Sequence, residues 1–271
     1  MDDNYQIYIN RVVRMTLPEA YQANAQHIQP SPKFQPQSPG EPWRAVPFPG
    51  YTIITPPWED EVKNGPFYSR LKQVQQQLLE KLPPNLLIPV PPESFHMTLA
   101  DLIWDTAYQH AQEKPEFEAQ LCDCTARIFQ QYESADRQVH AMGWQILGFL
   151  LMTRAIGVCL APKEEHSYEE IVQFRRAIYQ NPELIALGIE QQYHLTAHVT
   201  LGYLGDVPSD LDQDSPESKA FASHLSHTLT DLNQQWLNDE PHELLIHQAE
   251  LRKFDDMNRY YRHEGWPVVK F

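Results

Sequence analysis

The strings His96-Met97-Thr98-Leu99 and His198-Val199-Thr200-Leu201 repeat one pattern, His-x-Thr-Leu, once in each half of the chain. Each lies in an apolar run. On a strand, side chains alternate between faces, so His96 and Thr98 point one way. Phe95, Met97 and Leu99 then point the other way, into a core. His198 and Thr200 are opposed in the same manner to Val199 and Leu201. A histidine beside a hydroxyl on the open face of a buried strand joins a proton-transfer group to a hydrogen-bond donor. Two such pairs facing one another supply a base, an acid and two donors for one anionic oxygen. These groups are the equipment for in-line displacement at phosphorus.

The chain holds four His-x-Ser/Thr triplets among its 12 histidines, starting at His96, His194, His198 and His224. His224 falls in a helical pattern (Phe221, Leu225, Leu229, Leu232, Trp236) and reads as solvated surface. His194 and His198 are four apart, the spacing of a zinc pair on a helix, but Leu195, Thr196 and Ala197 supply no glutamate between them. Their polar–apolar alternation reads instead as a strand on which His194, Thr196, His198 and Thr200 share a face. The catalytic candidates are therefore His96, Thr98, His198 and Thr200. His194 and Thr196 are candidates for lining a substrate cleft, and no metal or cofactor is expected. A blander reading makes both histidines half-buried sheet residues beside threonines chosen for strand propensity. The matched strings, each polar on one face, argue against it. Cys122-x-Cys124 reads as core and surface, and Tyr260, Tyr261 and Trp266 read as packing.

A net charge of −15 argues against long duplex nucleic acid as a partner, because neutralising many phosphates needs basic surface. One phosphate on a small nucleotide or an RNA end needs only a local positive site. Three cysteines make no disulfide framework and suit a reducing compartment. The opening Met1-Asp2-Asp3-Asn4 is unlike a signal peptide. The most apolar stretch, Trp144 to Leu160, is interrupted by Gln145, Gly148, Thr153, Arg154 and Gly157. It suits two buried strands joined near Thr153-Arg154 and not a membrane span. The expected setting is cytosolic.

Residues 1–28 predict a short helix, with Thr16 and Glu19 at capping-box spacing and Pro18 in the first turn. From Gln29 to Gly50, prolines at 30, 32, 36, 39, 42, 47 and 49 predict an extended connector. Residues 1–42 thus read as an appendage covering the outside of the body or a partner chain and contributing no catalytic group. Residues 43–271 read as the body. There the spacing predicts strands at Tyr51–Thr55, Leu86–Val90, Phe95–Trp104, Leu195–Leu204 and Glu243–Leu251. Helices are predicted from Asn64-Gly65-Pro66 through Leu82, from Pro115 through Tyr132, from Ser167 to Ile178 and from Ser215 to Trp236. The end, Tyr260 to Phe271, is strand-like but broken by Gly265 and Pro267. Strands and helices do not alternate strictly, which favours an α+β antiparallel architecture.

On His96, Thr98, His198 and Thr200, residues 43–271 resemble the 2H phosphoesterase superfamily, named for two His-x-Thr/Ser motifs. That group includes 2′-5′ RNA ligase-like proteins, cyclic nucleotide phosphodiesterases of tRNA splicing and kinase-anchoring-protein domains. The chain is most like one of its bacterial branches. The resemblance implies a bilobal fold in which two antiparallel sheets face each other across a central cleft, helices outside, with pseudo-twofold symmetry. It also implies metal-independent hydrolysis of a 2′,3′-cyclic or related phosphodiester. One histidine would act as base and the other as acid, with His198 as base where the product carries a 2′-phosphate. A non-catalytic phosphate-binding module and RNA 2′-5′ ligation are the alternatives. The acidic balance departs from what a long-RNA enzyme would show.

Overall fold

The computed structural model describes residues 2–38, 41–134, 142–208, 215–237 and 243–271. Pro39 and Gly40 of the proline-rich connector lie outside them. Helix α1 spans Tyr5–Met15 and is capped by Asn4, whose side chain accepts from the Ile7 amide. Helix α2 spans Pro18–Asn24. The expected Thr16–Glu19 capping box does not form. The Thr16 hydroxyl donates to the Val13 carbonyl at the end of α1 instead, and Leu17 precedes α2 without a side-chain cap. Two helices share the segment because Tyr8 and Val12 are spaced to bury one face of α1, while Tyr21 buries on α2.

Strands β1 (Phe34–Pro36) and β2 (Trp43–Ala45) then pair antiparallel. This pairing straddles the boundary expected at residues 42 and 43, so the N-terminal segment is part of the body. Tyr8, Val12, Tyr21, Ala25, Ile28 and Phe34 are all buried in the common core. Burial of each large apolar side chain contributes about 1.5–3 kcal/mol. Tyr8 donates to the Leu160 carbonyl at 2.9 Å and Tyr21 to that of Phe149 at 2.7 Å.

Next come β3 (Gly50–Ile54), α3 (Gly65–Lys81), β4 (Leu87–Pro89), β5 (Thr98–Trp104), α4 (Asp105–Gln112) and α5 (Phe117–Ser134). The hairpin of β6 (Met142–Leu151) and β7 (Ala155–Pro162) turns at Thr153-Arg154 as the sequence predicts. Helices α6 (Glu165–Tyr179) and α7 (Pro182–Ala186) lead to β8 (His198–Leu204) and α8 (Pro216–Leu237). Strands β9 (Glu243–Ile246), β10 (Gln248–Phe254), β11 (Tyr260–Tyr261) and β12 (Val268–Lys270) follow.

Among the described residues, two five-stranded antiparallel sheets form beside the β1–β2 pair. One runs β11-β10-β3-β5, with β12 also on β10; the other runs β4-β8-β7-β6-β9. The single strand expected from Glu243 to Leu251 is in fact β9 in the second sheet and β10 in the first. The chain changes sheets at His247, whose Nε2 lies 3.1 Å from Glu61 Oε1. No helix among the described residues is long and apolar enough to cross a membrane. Cys122, Cys124 and Cys159 are all free thiols.

Candidate active site

The expected alternation holds where the motifs begin. Met97, Leu99, Val199 and Leu201 are fully buried, while His96, Thr98, His198 and Thr200 are only half-buried and face a cleft of about 460 Å³ between the sheets. His194 and Thr196 line the same cleft, so all six expected residues come together. Their local structure differs from expectation. Residues 95–97 are irregular, following a 3-10 turn at Pro92–Ser94, and β5 begins only at Thr98. Residues 194–197 are likewise irregular, so His194 and His198 share neither a helix face nor a strand face, and a helical zinc pair is ruled out by the backbone. β5 is also the edge strand of its sheet.

Both motifs are held by the same contact. His96 Nδ1 lies 2.7 Å from the Ser94 carbonyl, and His198 Nδ1 lies 2.7 Å from the Thr196 carbonyl. A carbonyl can only accept, so each Nδ1 carries the hydrogen and each Nε2 is left as the working nitrogen. Among the described residues, neither the Thr98 nor the Thr200 hydroxyl is given to another protein group. His194 sits at the rim, its side chain 61% exposed and 3.8 Å from Asp3. The Thr196 hydroxyl accepts from Arg11 Nη1 at 2.7 Å, and Arg11 Nη2 also bonds the Leu195 carbonyl.

The two histidines differ in their electrostatic surroundings. Burial pushes the His96 imidazole down to about 4; the Ser94 carbonyl opposes this, while His198 and Arg252 deepen it. Burial also lowers His198, but there the Thr196 carbonyl and the Asp101 carboxyl favour the imidazolium. Asp101 is raised by burial against the pull of Lys33, Arg175 and His198. Its Oδ1 accepts from the Thr52 hydroxyl at 3.3 Å.

Sequence reasoning did not find Asp101, Tyr203, Tyr260, Lys33 or Arg175, all of which line the cleft. Asp101 and Tyr203 had a signal. Each stands five residues after its histidine, and the two stretches match as His-x-Thr-Leu-small-x-Leu. Strict alternation hides them. Register shifts fall at Leu99 and Leu102 on β5 and at Leu201 on β8. The bulges at Leu99 and Leu201 turn Asp101 and Tyr203 onto the cleft face in place of Ala100 and Gly202. Gly202 is demanded by its neighbour: a Cβ there would meet the Ile88 carbonyl oxygen at 2.6 Å. Arg175 is fully engaged. It grips Asp2 through Nε at 2.7 Å, bonds the Tyr193 carbonyl at 2.9 Å and donates to the Leu99 carbonyl, joining α6 to β5 and to the irregular segment that leads into β8.

Residues 40–144 match the 2H-phosphodiest family, described as a domain of unknown function (DUF1868). Among solved structures, the chain is similar to a conserved protein of unknown function from Agrobacterium tumefaciens. The two are 17% identical over 90% of this chain and 96% of that one, with a TM-score of 0.51. It also aligns with E. coli LigT complexed with 3′-AMP, at 11% identity over 83% of this chain and 95% of that one, TM-score 0.37. Usb1 of Kluyveromyces marxianus with uridine monophosphate aligns at 12% identity over 82% of this chain and 96% of that one, TM-score 0.43. No curated protein matches by sequence.

Proposed function

We propose that the chain is a 2H phosphoesterase, a reading supported by the family match over residues 40–144, and that the cleft hydrolyses a 2′,3′-cyclic or related phosphodiester of a small nucleotide or RNA end without a metal. The observation that carries this reading is the matched anchoring of His96 and His198. One cleft receives two imidazoles, one just ahead of β5 and one at the start of β8, each with Nδ1 tied to the carbonyl two residues upstream and, among the described residues, with no hydrogen bond at Nε2.

His96 is the neutral imidazole, so its Nε2 takes the proton as water attacks phosphorus. His198, facing the Asp101 carboxyl, is the better imidazolium. Its Nε2–H protonates the departing ribose oxygen as the P–O bond breaks, leaving a phosphomonoester and a free hydroxyl. This reverses the roles that the resemblance implied, because the Asp101 carboxyl favours the charged form of the second histidine and a guanidinium disfavours that of the first. The Thr98 and Thr200 hydroxyls donate to the non-bridging oxygens as charge gathers there. His194 at the rim and Thr196 beneath it border the substrate's outer part. Run backwards, the same groups join a cyclic phosphate to a hydroxyl. Free thiols suit a cytosolic setting.

The test is incubation with 2′,3′-cyclic nucleotides in EDTA. Turnover that survives EDTA and is lost in both His96→Ala and His198→Ala supports the reading. Binding without turnover across cyclic nucleotides and RNA ends would instead make the protein a phosphate-recognising module. Turnover abolished by EDTA would overturn the metal-free mechanism.

A further inference from the structure

An anionic substrate must enter a protein of net charge −15, so the cleft needs a cation that is not already spent. Arg175 is committed to Asp2 and two backbone carbonyls. Arg252, which influences His96, is committed to Glu250 and Asp60. Lys33 lines the same cleft and is committed to no polar partner among the described residues. Its ammonium stands over the Phe48 ring at 4.3 Å and the Tyr203 ring at 5.2 Å. Ring faces hold a cation in place without neutralising it or consuming its N–H groups.

The backbone fixes this position. The Lys33 amide donates to Ser31 Oγ at 3.2 Å, and its carbonyl accepts from the Val46 amide at 2.9 Å. Phe34 stacks on Tyr203 at 5.4 Å, and the Ser31 amide bonds the Leu204 carbonyl at 2.7 Å. Both contacts anchor the segment to β8, the strand that begins with His198. The carboxyls nearest in influence are Asp101 and Asp105, and neither forms an ion pair with the ammonium.

We infer that Lys33, carried by the segment that precedes the two-sheet body, is the cation that binds the substrate's anionic phosphate in this cleft. Lys33 lies outside residues 40–144, the part of the chain that matches the family. The N-terminal segment therefore completes the site as well as covering the core. A lysine suits the slot because its compact charge fits between two rings, whereas its donors remain free for an anion. Burial lowers its proton affinity against the pull of Asp101 and Asp105, and a poorly solvated ammonium gains most from an incoming negative charge.

The inference rests on the reading of the cleft as a phosphodiester site, and a binding experiment separates the two. Titration of the full chain with adenosine 3′-monophosphate, inorganic phosphate and adenosine at pH 7 compares wild type with Lys33→Met and Lys33→Arg. Loss of a charge-assisted contact predicts affinity for both anions weakened about ten-fold or more in Lys33→Met. Adenosine affinity stays within about two-fold, and Lys33→Arg recovers most of the loss. Equal anion affinity in wild type and Lys33→Met, or no anion binding by wild type, overturns the inference. So does a parallel loss of adenosine affinity, which would make Lys33 a structural wedge. Lys33-dependent anion binding without turnover of cyclic nucleotides would leave the inference standing and remove only the reaction.

Discussion

Tyr260 lies edge-on to His96, the ring centroids 4.2 Å apart and the planes 60° from parallel. The tyrosine comes from β11, at the opposite edge of the sheet from β5, so the ring meets a histidine distant from it both in sequence and in strand order. The contact is made by the ring. Tyr260→Ala should therefore lower kcat/KM for a cyclic nucleotide by about ten-fold or more, since a mispositioned base loses effective concentration. Tyr260→Phe should stay close to wild type. Equal losses in both variants would assign the effect to the hydroxyl.

Removal of either histidine should cost about 10²–10⁴ in turnover, the usual contribution of a positioned proton-transfer group. The double variant should fall little below the singles, because the two groups act in one step. Initial-rate measurements on His96→Ala, His198→Ala and the pair check this. Additive losses would mean that the histidines serve different steps.

The pH dependence of kcat/KM should be a bell displaced to the acid side of 6.5. A base must be deprotonated, so activity rises with pH through the His96 value near 4. An acid must be protonated, so activity falls with pH through the His198 value, which burial holds below the ordinary imidazole value. Asp101 favours the charged form of His198, so Asp101→Asn should move the falling limb to lower pH and leave the rising limb nearly in place. A rising limb that moves instead would exchange the two roles.

The lowered His96 value also links stability to pH. Between about 6.5 and 4 the unfolded chain takes up a proton on His96 that the folded chain does not. Stability against urea should thus fall as pH drops through this window. His96→Gln should flatten that slope, and an unchanged slope would mean that other groups dominate.

Asp2→Ala should destabilise the fold by about 3–5 kcal/mol, because it strands a buried guanidinium without its counter-charge. Arg175 and Asp2 have side chains only 6% and 2% exposed. Asp2 also accepts from the Leu195 amide at 2.6 Å and Gln191 Nε2 at 2.9 Å. Chemical denaturation measures the loss. A change below about 1 kcal/mol would show that solvent reaches the pair.

A chain beginning at Trp43 should lose stability and also activity per folded molecule, since it lacks Lys33 and the Arg11 contact to Thr196. The sequence alone predicts the opposite for activity, reading residues 1–42 as a cover. Thermal melting and specific activity, normalised to folded protein, distinguish the two expectations.

The sequence by itself determined the antiparallel α+β class, the buried β6–β7 hairpin, and the histidine and threonine pairs with their opposed apolar faces. All of these are local: alternation, helical spacing and turn residues act over a few positions. Only the tertiary structure decided which residues complete the cleft. Bulges at Leu99 and Leu201 shift the facing residues by one, bringing in Asp101 and Tyr203, and no local pattern announces a register shift. The switch of β9 and β10 between sheets at His247 is equally silent, because each strand has the same alternation in either sheet. The N-terminal segment shows the same divide. Its prolines describe a stiff connector, but the place where Asp2, Arg11 and Lys33 end up depends on hydrogen bonds and ring contacts to residues more than a hundred positions away.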